Sequence, residues 1–331
     1  MTSLLTMLDE YDTQRVLLQG PPKSGKTALI GTLAEEFKLL FLDLEDGKEV
    51  LKTTVPREWM GNIEYVKIPD NYENTIACLT LLSMFSSKAP GYICKQHGAW
   101  NCAKCKAHAT DPDYVTPIDM ARMTAADGWI IVIDSATQFS ISALNRLCLN
   151  SNITRESGKA DEKISFHLWD GQGAYQDKLF GMIQSGPWNV VVTSHEMEVE
   201  LSEKVKKLCP TIGTRNYARQ VGKYFGSIIR LVTRNKKHYA ECTTMDSNWA
   251  NTGTRRNISL NNPGTTFCDY FRPISQIEDK IQKVKIEFAR TPLAKPKTKG
   301  AAKPTSTTAA TPNSSGEKAS SALDMLKTFG K

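Results

Sequence analysis

Short apolar runs separated by polar, glycine-bearing stretches set the rhythm of the chain. Residues 15–19, RVLLQ, close at Gly20, and a helical pattern follows from Thr27 to Phe37. Leu39 to Leu44 is again strand-like and ends in Glu45, Asp46 and Gly47, and residues 63–68 form a third strand candidate. A helix is expected over about 73–86. Buried strands are expected at 129–133 and 190–193, with a helical stretch near 170–185 between them. Residues 226–233 and 237–244 read as a later strand pair. Strands alternating with helices imply an α/β fold, a mostly parallel central sheet with helices on both faces.

Two segments break this rhythm. Residues 90–117 are rich in Cys, His, Pro and Asp and read as an insertion within a core spanning 1–289. Residues 290–321 hold Ala, Thr, Ser, Pro and Lys with almost no large apolar side chain, too little to offset the entropy of ordering. A disordered basic linker is expected there. Apolar groups return at Leu323, Met325, Leu326 and Phe329, so 322–331 reads as a short docking segment.

Charge changes the picture only locally. The net charge is +7, but Arg290 to Lys331 carry +6 of it and the remainder is close to neutral. Nucleic-acid binding by the body therefore has to come from patches, not from overall charge. No run of 18 apolar residues exists, and the acidic start of the chain lacks a leader pattern, so neither a membrane span nor a signal peptide is expected.

Gly20-Pro21-Pro22-Lys23-Ser24-Gly25-Lys26-Thr27 matches the phosphate-binding pattern GxxxxGK[ST] in full, and Ala28 continues into the helix. Glycines let backbone N–H groups turn around phosphate oxygens, and the helix start adds positive potential. Lys26 is placed to reach the β and γ phosphates of ATP, and the Thr27 hydroxyl to bind Mg²⁺. A second acidic element follows the run WIIVI, where Asp134 can hold the magnesium; capping of the next helix is the plainer alternative.

Cys94-Lys-Gln-His97 and Cys102-Ala-Lys-Cys105 are two pairs with two-residue gaps. Zinc takes tetrahedral sulfur and nitrogen ligands, so Cys94, His97, Cys102 and Cys105 would complete a closed, structural Zn²⁺ knuckle. His108 is a spare candidate for the fourth ligand.

The order of these elements resembles a RecA-like P-loop core over roughly residues 14–245. More closely it is similar to the bacteriophage RecA-like ATPases of the single-strand annealing (Sak) type. That likeness rests on the P-loop near the N-terminus, Asp43/Glu45 at a strand end, Ile133-Asp134-Ser135, the Trp169 to Tyr175 helix, and Thr193-Ser194-His195-Glu196. The Cys/His insertion departs from a minimal core. The resemblance implies ATP-dependent handling of single-stranded DNA in recombination, annealing or repair. It implies Glu45 as the base that activates water, with Asp43 structural, and His195 as the γ-phosphate sensor; a solvated acidic loop and a satisfied buried histidine are the rival readings.

DNA contacts are expected from the loop 197–222, through Lys204, Lys206, Lys207, Arg215 and Arg219, with Tyr217 available for stacking. A solvated surface is the alternative there, and is preferred for the stretch with Arg155, Lys159 and Lys163, whose charge Glu156, Asp161 and Glu162 cancel. Arg234 and Lys236 are candidates to act in trans on a neighbour's nucleotide, or simply belong to an exposed hairpin. Expected partners are single-stranded DNA and further copies of the chain in a ring or filament, with room for a single-strand-binding protein, in the cytoplasm of a cell or phage host. A hexameric helicase or DNA motor, and a nucleotide-gated adaptor without turnover, are the rival functions.

Overall fold

A computed structural model of the chain describes residues 6–10, 12–71, 74–151, 166–202, 205–242 and 252–282. All belong to one compact unit spanning residues 1–284. The linker at 290–321, the segment at 322–331 and the charged stretch 152–165 lie outside the described residues.

The strands are β1 (Arg15–Gln19), β2 (Lys38–Asp43), β3 (Ile63–Lys67), β4 (Gly91–Cys94), β5 (Val115–Ile118), β6 (Trp129–Asp134), β7 (Asn189–Ser194), β8 (Glu196–Ser202), β9 (Val205–Pro210), β10 (Ser227–Arg234), β11 (Lys237–Glu241) and β12 (Gly253–Thr254). The helices are α1 (Lys26–Gly31), α2 (Lys48–Thr54), α3 (Ile76–Ser86), α4 (Ala136–Asn150), α5 (Phe166–Ser185) and α6 (Arg215–Gln220). The main sheet runs β11-β10-β1-β7-β6-β2-β3, with β12 added beside β10. From β10 to β3 every pairing is parallel, and only β11 and β12 run against their neighbour. This is the α/β, mostly parallel architecture expected from the apolar runs.

Period-two alternation sends successive side chains to opposite faces, and both faces are dry. Leu17, Leu40, Leu42, Ile131, Ile133, Val190 and Val192 meet α3, α4 and α5 through Leu81, Phe139 and Phe180. Val16, Leu18, Leu39, Phe41, Val132 and Val191 meet Ile30 and Leu33 after the phosphate loop, Leu51 of α2, and a layer from Phe267 to Ile277. Continuous apolar runs, not half-polar ones, result from burial on both faces.

Several elements differ from expectation. The first helix is short, and Thr32–Glu35 tighten into a 3₁₀ turn instead of continuing it to Phe37. The helix α2 and the layer at 252–282 carry no clear sequence period. The stretch 197–222 is not an open loop: β8 and β9 pair as an antiparallel hairpin and α6 follows. Val199, Cys209 and Ala218 bury a small core between hairpin and helix, which gives that segment its order. Within the insertion, β4 and β5 pair in register Cys94↔Val115 and frame a 3₁₀ helix at Ala103–His108. Among the described residues no helix is long and apolar enough to cross a membrane.

Candidate active site and metal centre

β1 delivers the chain to the phosphate loop at its C-terminal end, and the loop turns directly into α1. Gly25 caps that helix at φ 93, a left-handed conformation natural to glycine. A side chain there would also meet the imidazole of His238, whose Nδ1 lies 2.9 Å from the Ser24 carbonyl oxygen. A carbonyl only accepts, so Nδ1 carries the proton, and β11 thereby roofs the loop. Lys26 is buried, and its Nζ donates to the carbonyls of Gly20 (2.9 Å) and Pro21 (3.0 Å). Burial lowers its pKa, while the charges of Asp134, Glu45 and Glu196 oppose that shift. Three carboxylates thus act on the buried ammonium group of Lys26.

Parallel pairing sets Asp43 of β2 beside Asp134 of β6 at adjacent strand ends. Asp134 accepts from the Thr27 hydroxyl at 3.1 Å and from the Thr193 hydroxyl at 2.5 Å. Burial pushes its carboxyl up to about 6, with the nearby charges of Glu45 and Asp43 adding to the rise and the hydroxyls of Thr193 and Thr27 opposing it. Gly47 leaves this spot open: a Cβ there would stand 3.1 Å from Asp134 Oδ2 and 3.3 Å from Thr27 Cγ2. Hard oxygen donors in a space kept free of side chains fit a small divalent cation such as Mg²⁺.

Glu45 is held from two sides. The Ser135 hydroxyl donates to one carboxylate oxygen, and His195 Nε2 stands 3.3 Å from the other. The backbone N–H of His195 donates to Thr137 at the start of α4, which pins the end of β7. His195 Nδ1 is buried without a hydrogen-bond partner. Asp43 accepts the N–H groups of Glu45 and Asp46 and the Tyr65 hydroxyl, so it shapes the turn that presents Glu45. A cavity of about 590 Å³, lined in part by Glu45, Asp70, Gln138 and His195, opens beside the pair.

Sequence reasoning named Lys26, Thr27, Glu45, Asp134 and His195, and the fold brings all five to one end of the sheet. It missed Thr193, Ser135, Gly47 and His238. The serine directly after Asp134 was a visible signal; the other three become neighbours only through strand pairing.

The expected DNA contacts are less concentrated. Lys206 pairs with Glu198 across the hairpin at 2.7 Å, Arg215 and Arg219 are exposed on α6, and the side chain of Lys204 lies outside the described residues. Lys207 is half-buried opposite Val199. Tyr217 is not free to stack: it is half-buried, its hydroxyl donates to Asp177 at 3.0 Å, and burial raises its pKa further. Arg234 bonds Glu241 at 2.9 Å while staying largely exposed. Asn235 and Lys236 form the β10–β11 turn with φ 50 and 62, the positive values a two-residue hairpin requires. The same Glu241 also bonds Arg230, which is bidentate to Glu196, the residue after His195.

In the insertion, Cys94, Cys102 and Cys105 are buried and their sulfur atoms surround His97 Nδ1 at 3.5, 3.6 and 3.3 Å. Tetrahedral zinc with its usual bond lengths separates sulfur and nitrogen ligands by about 3.5 Å. The four ligand atoms lie within 4.8 Å of one another, so the site fits Zn²⁺ and leaves no position for water. His108 stands apart, stacked on Tyr114 with ring centroids 4.3 Å apart. The knuckle is anchored to the body through α3, where Thr80 donates to the Gly98 carbonyl at 2.8 Å.

A phosphate loop at the end of a parallel strand, with an acidic partner two strands away, defines a P-loop nucleotide-binding protein. Residues 12–256 match the AAA domain family, and the chain belongs to that family of P-loop ATPases. A search of curated protein sequences returns no match. Among solved structures, the RadB recombinase is 14% identical over 72% of this chain and 84% of that one, with a TM-score of 0.37. An ATPase of the type III secretion system of pathogenic bacteria is 15% identical over 66% of this chain, with a TM-score of 0.34. The matched part spans about half (52%) of that ATPase. EscN, in complex with its stalk EscO from enteropathogenic E. coli, is 13% identical over 66% of this chain and 42% of its own, at 0.36.

Proposed function

We propose that this chain is a RecA-like ATPase that hydrolyses ATP and acts on single-stranded DNA in recombination, annealing or repair. One observation carries the hydrolytic part: a carboxylate, Glu45, is clamped between Ser135 and His195 beside Lys26, Thr27 and Asp134. A base held in one orientation is what attack by water on a γ-phosphate requires.

The backbone N–H groups from Pro22-adjacent Lys23 through Thr27 cradle the β-phosphate, and Lys26 leaves its carbonyl partners for the β and γ oxygens. Thr27 and Asp134 would hold Mg²⁺, which would neutralise phosphate charge. Glu45 accepts the proton of the attacking water, while the Ser135 hydroxyl and His195 keep its oxygens aligned. His195 is followed immediately by Glu196 and the β8–β9 hairpin, so a shift of its ring on loss of the γ-phosphate reaches that hairpin over one peptide unit. Supporting the DNA part are the Sak-type order of motifs and the exposed Arg215 and Arg219 beyond the hairpin. Arg234 and Lys236, in the β10–β11 hairpin at an edge of the sheet, suit a role in trans within a homo-oligomer.

The test is the rate of phosphate release with and without single-stranded DNA across a salt series. Stimulation that fades with rising salt supports the reading. Turnover indifferent to DNA removes the DNA role, and ATP binding without turnover makes the chain a nucleotide-gated adaptor. Strand pairing without unwinding separates an annealing protein from a helicase or motor.

A further inference from the structure

At the opposite end of β1 from the phosphate loop lies a cavity of about 490 Å³ that none of the preceding chemistry uses. Three arginines line it, Arg15, Arg255 and Arg256, against a single carboxylate, Asp12, among the described residues. Arg15 is fixed at the mouth of β1 by donating to the carbonyls of Ile183 and Gly186, each at 2.9 Å, which orients the guanidinium without neutralising it. Burial lowers the Arg15 pKa and the neighbouring charge of Arg255 lowers it further. Arg256 is 7% exposed; its Nη1 donates to the carbonyls of Asp269 and Arg272, and its buried Nε has no hydrogen-bond partner. An unpaired guanidinium donor in the interior is costly and is ordinarily matched by an acceptor.

We infer that this cavity is a second ligand site, for a small phosphate-bearing anion of about nucleotide size. Charge and shape agree on that class. Three guanidinium groups against one carboxylate leave two positive charges, the complement of a phosphomonoester dianion, and guanidinium forks match phosphate oxygens in pairs. The volume falls within the range of small-molecule sites, roughly 300–1,000 Å³. Tyr224 and Ile274 supply an apolar wall, and the amides of Gln14, Gln184 and Asn257 supply donors and acceptors for a polar ligand body. β1 has five residues. At about 3.3 Å each, this places the cavity ~16 Å from the phosphate loop, too far for one ligand to fill both.

Calorimetry of the full chain tests the site with the phosphate loop saturated by a non-hydrolysable ATP analogue and Mg²⁺, and again in Lys26→Ala, which keeps the result separate from the ATPase reading. Inorganic phosphate, AMP and adenosine are titrated in turn. Phosphate and AMP give saturable heat at one site per chain in both backgrounds, and adenosine gives none. AMP at least tenfold tighter than phosphate assigns the cavity to a nucleotide; equal affinity assigns it to phosphate alone. Arg255→Glu, at an exposed position, weakens AMP at least tenfold and leaves ATP turnover within twofold, whereas Arg255→Lys retains most of the affinity. No saturable heat from phosphate or AMP, equal binding of adenosine, or unchanged affinity in Arg255→Glu overturns the proposal.

Discussion

The phosphate loop and the cysteine–histidine knuckle gather their functional groups in opposite ways. The knuckle draws four ligands from one stretch, Cys94 to Cys105, and needs only a short hairpin to frame them. The nucleotide site draws Lys26 and Thr27 from one segment, Glu45 from the turn after β2, Asp134 from β6, and Thr193 and His195 from β7. The first is local geometry that fits a metal ion. The second depends on a sheet in which chain order and spatial order differ, so it is as rigid as the core beneath it.

Breaking each region sharpens this contrast. Lys26→Ala has the largest expected effect, lowering kcat/KM for ATP on the order of 10³-fold through loss of a buried charge aimed at phosphate. Phosphate release measures it, and an unchanged circular dichroism spectrum shows the sheet intact. Glu45→Gln follows, lowering kcat about 10²-fold with ATP affinity retained, because only proton transfer is lost. Loss of affinity together with rate would instead make Glu45 a binding group.

In the knuckle, Cys105→Ser removes one of four ligands and with it zinc, read as a fall from about one ion per chain by metal analysis. Hydrogen exchange then rises across residues 91–118, while β1, β6 and β7 keep their protection. A global loss of protection would show that the knuckle holds more than itself. Turnover falls less than tenfold, since the contact from Thr80 to Gly98 joins the knuckle to α3 and not to the phosphate loop.

The smallest effect concerns pH. Burial raises the Asp134 carboxyl to about 6 from an ordinary value of 3.8. The folded chain therefore keeps a proton that the unfolded chain releases between those values. Stability without nucleotide or magnesium falls as pH rises through that window, and the cost persists above it. Asp134→Asn removes this cost, on the order of 3 kcal/mol at most. The variant should melt higher than the parent at pH 7.5, match it near pH 4, and lose turnover. Equal melting temperatures at both pH values would remove burial as the cause.

What could be read in advance follows the same division. Apolar runs at 129–133 and 190–192 were legible because strands buried on both faces carry near-continuous apolar side chains. Ser135 was visible as the neighbour of Asp134, though not as a clamp on Glu45. Gly47 looked like the end of an acidic turn, and only the approach of Thr27 and Asp134 gives its missing side chain a purpose. The segment 197–222 read as a loop because the RecA-like resemblance places a DNA-binding loop after the strand that ends at His195, and the segment is rich in Lys and Arg. The small core of Val199, Cys209 and Ala218 that orders it joins residues nine or more apart.

The sequence by itself determined the phosphate loop, the knuckle ligands and the existence of the parallel strands, because each is written in a contiguous stretch where spacing and side-chain chemistry act at short range. Only the tertiary structure decided that β7, late in the chain, slots between β1 and β6, and so brings Thr193 and His195 to Asp134 and Glu45. It alone decided that His238 covers the phosphate loop and that three arginines meet at the far end of β1. Strand pairing over long separations is settled by burying both faces of the whole sheet at once, a condition that no local stretch expresses.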